Sequence, residues 1–108
     1  LFDEVIPLLQ GVAPHELSLY YWMDAESYFA LQQYDRALPL YEKMLPLCRD
    51  NEKPDAYYRL GFCHLFAAER KKAKECFELS LEGYLKYRNT PNEQARIAQI
   101  RHMIGGLK

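Results

Sequence analysis

Residues 55–84 read DAYYRLGFCHLFAAERKKAKECFELSLEGY and decide the fold. Two amphipathic helical patterns are separated by a short charged break around Glu69–Lys72. The first carries Tyr57, Leu60, Gly61 and His64, and the second carries Ala73, Phe77, Ser80 and Leu81. A second copy lies 36 residues earlier, where Ala37, Tyr41 and Leu45 stand at the places of Ala73, Phe77 and Leu81. The same offset puts Ala25 at the place of Gly61 and Tyr21 at that of Tyr57. A small residue at 25 and 61 lets two helix backbones approach closely, and the aromatics at 41 and 77 fill the space beside them. Tyr34 supplies an aromatic at the inter-helix turn, where the later copy has Arg70.

This pattern resembles the tetratricopeptide repeat, in which a large apolar residue and then Leu-Gly mark the first helix. A small residue and an aromatic four positions on mark the second. The resemblance covers residues 17–84, and the loop 46–54 absorbs an offset slightly longer than the usual one of about 34. It implies an all-α fold, a right-handed superhelix of antiparallel helix pairs with about six helices. The alternative is an ordinary helical bundle whose apolar stripes coincide. At 108 residues the chain fits a single domain. We divide it into an N-terminal helix (1–13), a first repeat (14–50), a second repeat (54–88) and a C-terminal capping helix (90–105).

Phe2–Gln10 has the pattern of a short helix, weakened by Pro7 and stopped by Gly11. It fits either the second helix of an incomplete repeat or an arm that pairs with another copy. The next helix is expected from His15 to Gln33, with Leu17, Tyr21, Ala25 and Tyr28 as its core stripe. Asp35 is the expected N-cap of a helix running to Leu47, with Leu38, Tyr41, Met44 and Leu45 inward and Pro39 early enough to cost little. Two helices are then expected over 55–68 and 71–87. Thr90-Pro91-Asn92-Glu93 has the form of a capping box, opening a helix that carries Ile97, Ile100 and Ile104 and stops at Gly105-Gly106. Such a helix covers the apolar side that a last repeat otherwise leaves in water.

Nearly half the residues are hydrophobic and fifteen are aromatic, nine of them tyrosine, enough for a core with half-wet surfaces. A net charge of −1 lacks the basic excess of generic nucleic-acid binders. No apolar run reaches the roughly 20 residues that span a bilayer, so membrane insertion is not expected. Cys48, Cys63 and Cys76 are odd in number and form no CxxC pair, which favours reduced thiols and a cytoplasmic setting. No signal peptide is visible, although the chain begins at Leu1, consistent with a preceding segment or a larger parent protein.

Chemistry is sparse. His15, His64 and His102 are not at metal-ligand spacing from one another or from a cysteine, so no metal or cofactor is expected. Cys76 adjoins the packing aromatic Phe77 without a base placed beside it, and neither Asp24 with Glu26 nor Asp35 with Glu42 makes a paired-carboxylate site. No glycine-rich phosphate loop is present. No catalytic residues are assigned, and the chain is read as a non-enzyme.

Within the resemblance, the first helix of each pair lines the concave side. This places Trp22, Met23, Glu26 and Phe29, with Tyr58, Arg59, Phe62 and Phe66, on a candidate partner-binding surface. Aromatics, Met and Arg are favoured at binding hot spots. Arg59 and Glu26 would set the direction of a bound chain. The resemblance thus implies a protein–protein interaction module that holds a peptide segment of a partner. A carboxylate clamp of the chaperone-docking kind is disfavoured, because Glu26 would repel the anion. The segment KKAKECFELSLEGY, followed by a polar turn and a final helix, also resembles the C-terminal part of type III secretion translocator chaperones. Those chaperones hold hydrophobic secreted proteins, usually with three repeats where two are counted here. The alternatives are burial of the same aromatics by flanking helices, a homotypic adaptor forming a homodimer, or a regulatory domain of a larger protein.

Overall fold

The computed structural model describes residues 14–107, and five α-helices and one 3-10 turn account for most of them. They are α1 (Pro14–Ala30), α2 (Tyr34–Met44), α3 (Lys53–Phe66), α4 (Arg70–Tyr87), the 3-10 turn Pro91–Glu93, and α5 (Gln94–Gly106). The expected helix at Phe2–Gln10 lies outside the described residues. The chain divides into two units between Arg49 and Asp50.

In the first unit, α1 and α2 form an antiparallel pair. Ala25 and Tyr41, the small residue and the aromatic of the first copy, are both fully buried. Tyr28, Ala37, Leu40, Met44 and Cys48 complete the buried apolar set. Leu17, Tyr21, Leu38 and Leu45, expected in the core, are only half-buried. Ser18 and Asp24 are buried on α1 instead, and the Ser18 hydroxyl donates to the His15 carbonyl at 2.7 Å.

In the second unit, α3 and α4 interlock through two glycines. Phe77 of α4 lies so close over Gly61 of α3 that a Cβ at 61 would sit 2.7 Å from the ring. Reciprocally, Pro54 of α3 lies against Gly83 of α4, where a Cβ would overlap the proline ring. The buried Ser80 hydroxyl donates to the Pro54 carbonyl at 2.8 Å and holds the two helices at that end. Ile97 and Ile100 of α5 join Tyr58, Ala73, Phe77 and Tyr84 in one buried cluster.

The repeat is also written in the backbone. Gln32 (φ 61°) and Ala68 (φ 63°), 36 residues apart, are the two non-glycine positions with left-handed φ among the described residues. Each closes a first helix in the same way, with Gln33 N–H donating to the Tyr28 carbonyl at 2.9 Å and Glu69 N–H donating to the His64 carbonyl at 2.8 Å. These are the six-to-one bonds of a Schellman ending. They explain why α1 stops at Ala30 rather than Gln33.

Several local expectations are corrected. Asp35 is not the N-cap of α2, because the helix already includes Tyr34 and Gln33 occupies the cap without a side-chain bond. Asp35 lies in the first turn, where a carboxylate still complements the helix dipole. Pro39 therefore falls in the helix interior and removes one backbone bond. Helix α2 ends at Met44, short of Leu47, with Pro46 just beyond it. Thr90 makes no side-chain cap, and Glu93 accepts from Arg88 at 2.6 Å instead of reaching back to residue 90. Gly105 and Gly106 lie inside α5 rather than after it.

Two sets of substitutions test this packing. Gly61→Ala forces the buried Phe77 ring to move and should cost about 1–3 kcal/mol in urea unfolding. Gly105→Ala, where nothing lies within 4 Å, should instead be neutral or stabilising by up to about 1 kcal/mol. Ala68→Gly relieves a left-handed residue whose intrinsic cost is about 1–2 kcal/mol, so it should raise the thermal midpoint despite adding a glycine.

Candidate functional site

The sequence-derived surface residues divide between the two units. On α1, Trp22 and Phe29 are half-buried against Tyr41, with ring centroids 5.6 and 6.4 Å away in edge-on contact. Phe29 also meets Tyr34 at 5.2 Å. Glu26 accepts a hydrogen bond from the Tyr41 hydroxyl, which ties it to the helix pair. Met23 is the outward member at 46% exposure, and with Glu16, Leu19 and Tyr20 it lines an apolar cleft of about 330 Å³.

On α3, Tyr58, Phe62 and Phe66 recur every four residues and form a row of rings. Tyr58 to Phe62 is 5.0 Å edge-on, and Phe62 to Phe66 is 6.3 Å with the rings nearly parallel. Exposure rises along the row, from 5% at Tyr58 to 56% at Phe66. Tyr58 is thus a core residue. Its ring packs on Phe77 at 6.3 Å, its hydroxyl donates to Gln99 of α5 at 3.0 Å, and Arg96 of α5 lies over its face at 4.1 Å. Arg59 stands 5.4 Å from the same ring. Phe62 is half-buried, 5.3 Å from Phe77, and Phe66 is the outermost member of the row.

A polar network missed in the sequence joins α3, α4 and α5 at the Tyr58 end of this row. Asp55 accepts from the Tyr84 hydroxyl and forms an ion pair with Arg88, whose second nitrogen pairs with Glu93 at 2.6 Å. Arg96 donates to the Tyr84 oxygen at 3.2 Å. Burial first, and then the Asp55 carboxylate, push the Tyr84 phenol well above its ordinary value. At the α3–α4 turn, Glu69 pairs with Lys72 at 3.1 Å and with His64 at 3.2 Å. The hydrogen bond from Lys72 first, and that from His64 second, lower the Glu69 carboxyl below the usual carboxylate range. His64 is half-buried and engaged in this turn.

Among the described residues, no group of three or more His, Cys, Asp or Glu side chains can hold a metal ion, and no helix is long and apolar enough to cross a membrane. Cys48, Cys63 and Cys76 carry thiols.

A family model described as tetratricopeptide repeat matches residues 28–84, more than half of the chain. The chain belongs to the tetratricopeptide repeat family. No curated protein and no solved structure matches it. The match spans the α1–α2 turn, α2 and the α3–α4 pair, the segments that carry the left-handed turns and the glycine contacts. Tetratricopeptide repeats are typically non-catalytic and suggest protein partners.

Because the folded state keeps the Tyr84 proton to higher pH than the unfolded state, stability present below about pH 10 should fall as pH rises through the ordinary tyrosine range. Tyr84→Phe should flatten that alkaline loss and cost about 1–3 kcal/mol at neutral pH, since Asp55 and Arg96 lose a partner. Urea unfolding at pH 7 to 11 measures both effects.

Proposed function

We propose that this tetratricopeptide repeat protein binds a peptide segment of a partner protein through the aromatic face of α3, with Phe66 and Phe62 as anchors. The observation that carries the reading is the ring row. Its inner member is core, so the row is rigid, while its outer member presents more than half of its surface to solvent. A ring fixed from behind loses little conformational freedom when a partner covers it. Arg59 flanks the row and would orient the bound segment. On α1, in the other unit, Trp22, Glu26 and Phe29 are engaged with Tyr41, while Met23 and Leu19 are exposed. Holding a secreted hydrophobic protein, the role suggested by the narrower resemblance, would be one form of this activity. The thiols support a reducing, cytoplasmic setting.

A homotypic role is the second reading, favoured by the apolar cleft at Leu19, Tyr20 and Met23. Light scattering distinguishes it. Mass doubling with concentration, abolished by Met23→Glu, would support self-association through α1.

For the principal reading, partners captured with the wild-type chain are purified and their binding measured directly. Phe66→Glu should weaken binding at least tenfold, about 1.4 kcal/mol, without lowering the thermal midpoint. Unchanged affinity for every purified partner would refute the α3 face as the site.

A further inference from the structure

The α3 row ends on a guanidinium whose contacts among the described residues are neutral. Arg96 lies over the Tyr58 ring at 4.1 Å and donates to the Tyr84 hydroxyl at 3.2 Å. The two carboxylates nearest in the network, Asp55 and Glu93, are both taken by Arg88. Among the described residues no carboxylate forms an ion pair with Arg96. A guanidinium held over an aromatic ring and bonded at one nitrogen is pre-organised, and its remaining donors form a fork that matches a carboxylate. Arg59, over the same tyrosine at 5.4 Å, adds a second cation at this end of the row. The opposite end, at Phe66, is apolar and exposed.

Given the binding role proposed above, the geometry points to a bipolar ligand: a peptide segment that seats an aromatic or large aliphatic side chain on Phe62–Phe66 and an Asp or Glu carboxylate on Arg96. From Tyr58 to Phe66 is eight helical residues, or roughly 12 Å along the axis. An extended peptide spans that in about four residues. The acidic residue should therefore stand three or four positions from the anchor. Positive charge at one end and apolar surface at the other also define which way the segment runs.

The test is selection of a random 12-residue peptide display library on the intact chain, followed by anisotropy titration of synthesised binders. The inference expects binders with Asp or Glu three or four positions from Phe, Trp, Leu or Met. Phe66→Ala and Arg96→Gln should each weaken them about tenfold, as expected for loss of an anchor or a charge-assisted bond. Arg101→Gln, which removes the same charge from an exposed position on α5, should change affinity less than twofold. Circular dichroism melts check that each variant is folded. If Arg96→Gln is not, Arg96→Lys keeps the charge without the fork and should still weaken binding several-fold. Binders that depend on Phe66 but carry no acidic preference would overturn this inference and leave the proposed function standing. Failure to recover any binder that depends on Phe66 would overturn both. A dimer dissolved by Phe66→Glu would show that a second copy occupies the row, and would overturn the acidic-peptide assignment.

Discussion

The second unit depends on one close approach, that of the Phe77 ring to the backbone at Gly61. A side chain at 61 would have to share space with a fully buried ring. The absence of a Cβ therefore sets the separation of α3 and α4. Once that separation is set, Pro54 meets Gly83 and Ser80 reaches the Pro54 carbonyl, so the two helices are also matched at the Pro54 end. The first unit carries Ala25 and Tyr41 at the matching positions, both without exposed surface. Tyr41 and Phe77 then serve as the bases on which the first-helix aromatics stand. Trp22 and Phe29 lean on Tyr41, while Tyr58 and Phe62 lean on Phe77. The candidate recognition surface on α3 is in this sense an outgrowth of the core, extended outward ring by ring.

The small-to-aromatic pattern was legible in the sequence because it is a spacing rule between residue types, repeated at a constant offset. The family assignment and the buried identities of Ala25, Tyr41, Ala73 and Phe77 follow from it. The left-handed turns were not legible. Gln32 and Ala68 are neither glycine nor asparagine, so composition gives no sign that either adopts positive φ. Only the offset of 36 between them, visible after the fact, would have suggested that the two turns match. The end of α4 misled for a different reason. Thr90 and Glu93 have the residue types of a capping box, but Arg88 outcompetes the local backbone for the Glu93 carboxylate. The guanidinium brings a full opposite charge to the carboxylate, which a backbone N–H does not.

The site was half legible for a physical reason as well. Helical spacing correctly groups 58, 62 and 66 on one face, yet it cannot say how deep each lies. Depth is set by α5, whose Arg96 and Gln99 close over Tyr58 and leave Phe66 outside. The Asp55–Tyr84–Arg88–Arg96 network draws single residues from three helices. No local spacing announces it, although it buries a phenol, joins α5 to α4 and leaves one guanidinium over the Tyr58 ring.

The most direct test of the close-approach account is a carbon-edited nuclear Overhauser spectrum of the folded chain. The account predicts strong cross-peaks from the Gly61 α-protons to the Phe77 ring, and from the Gly83 α-protons to the Pro54 side chain. Absence of both sets in a folded, helical sample would mean that α3 and α4 do not meet at their glycines. The packing from which the recognition face is built would then be wrong.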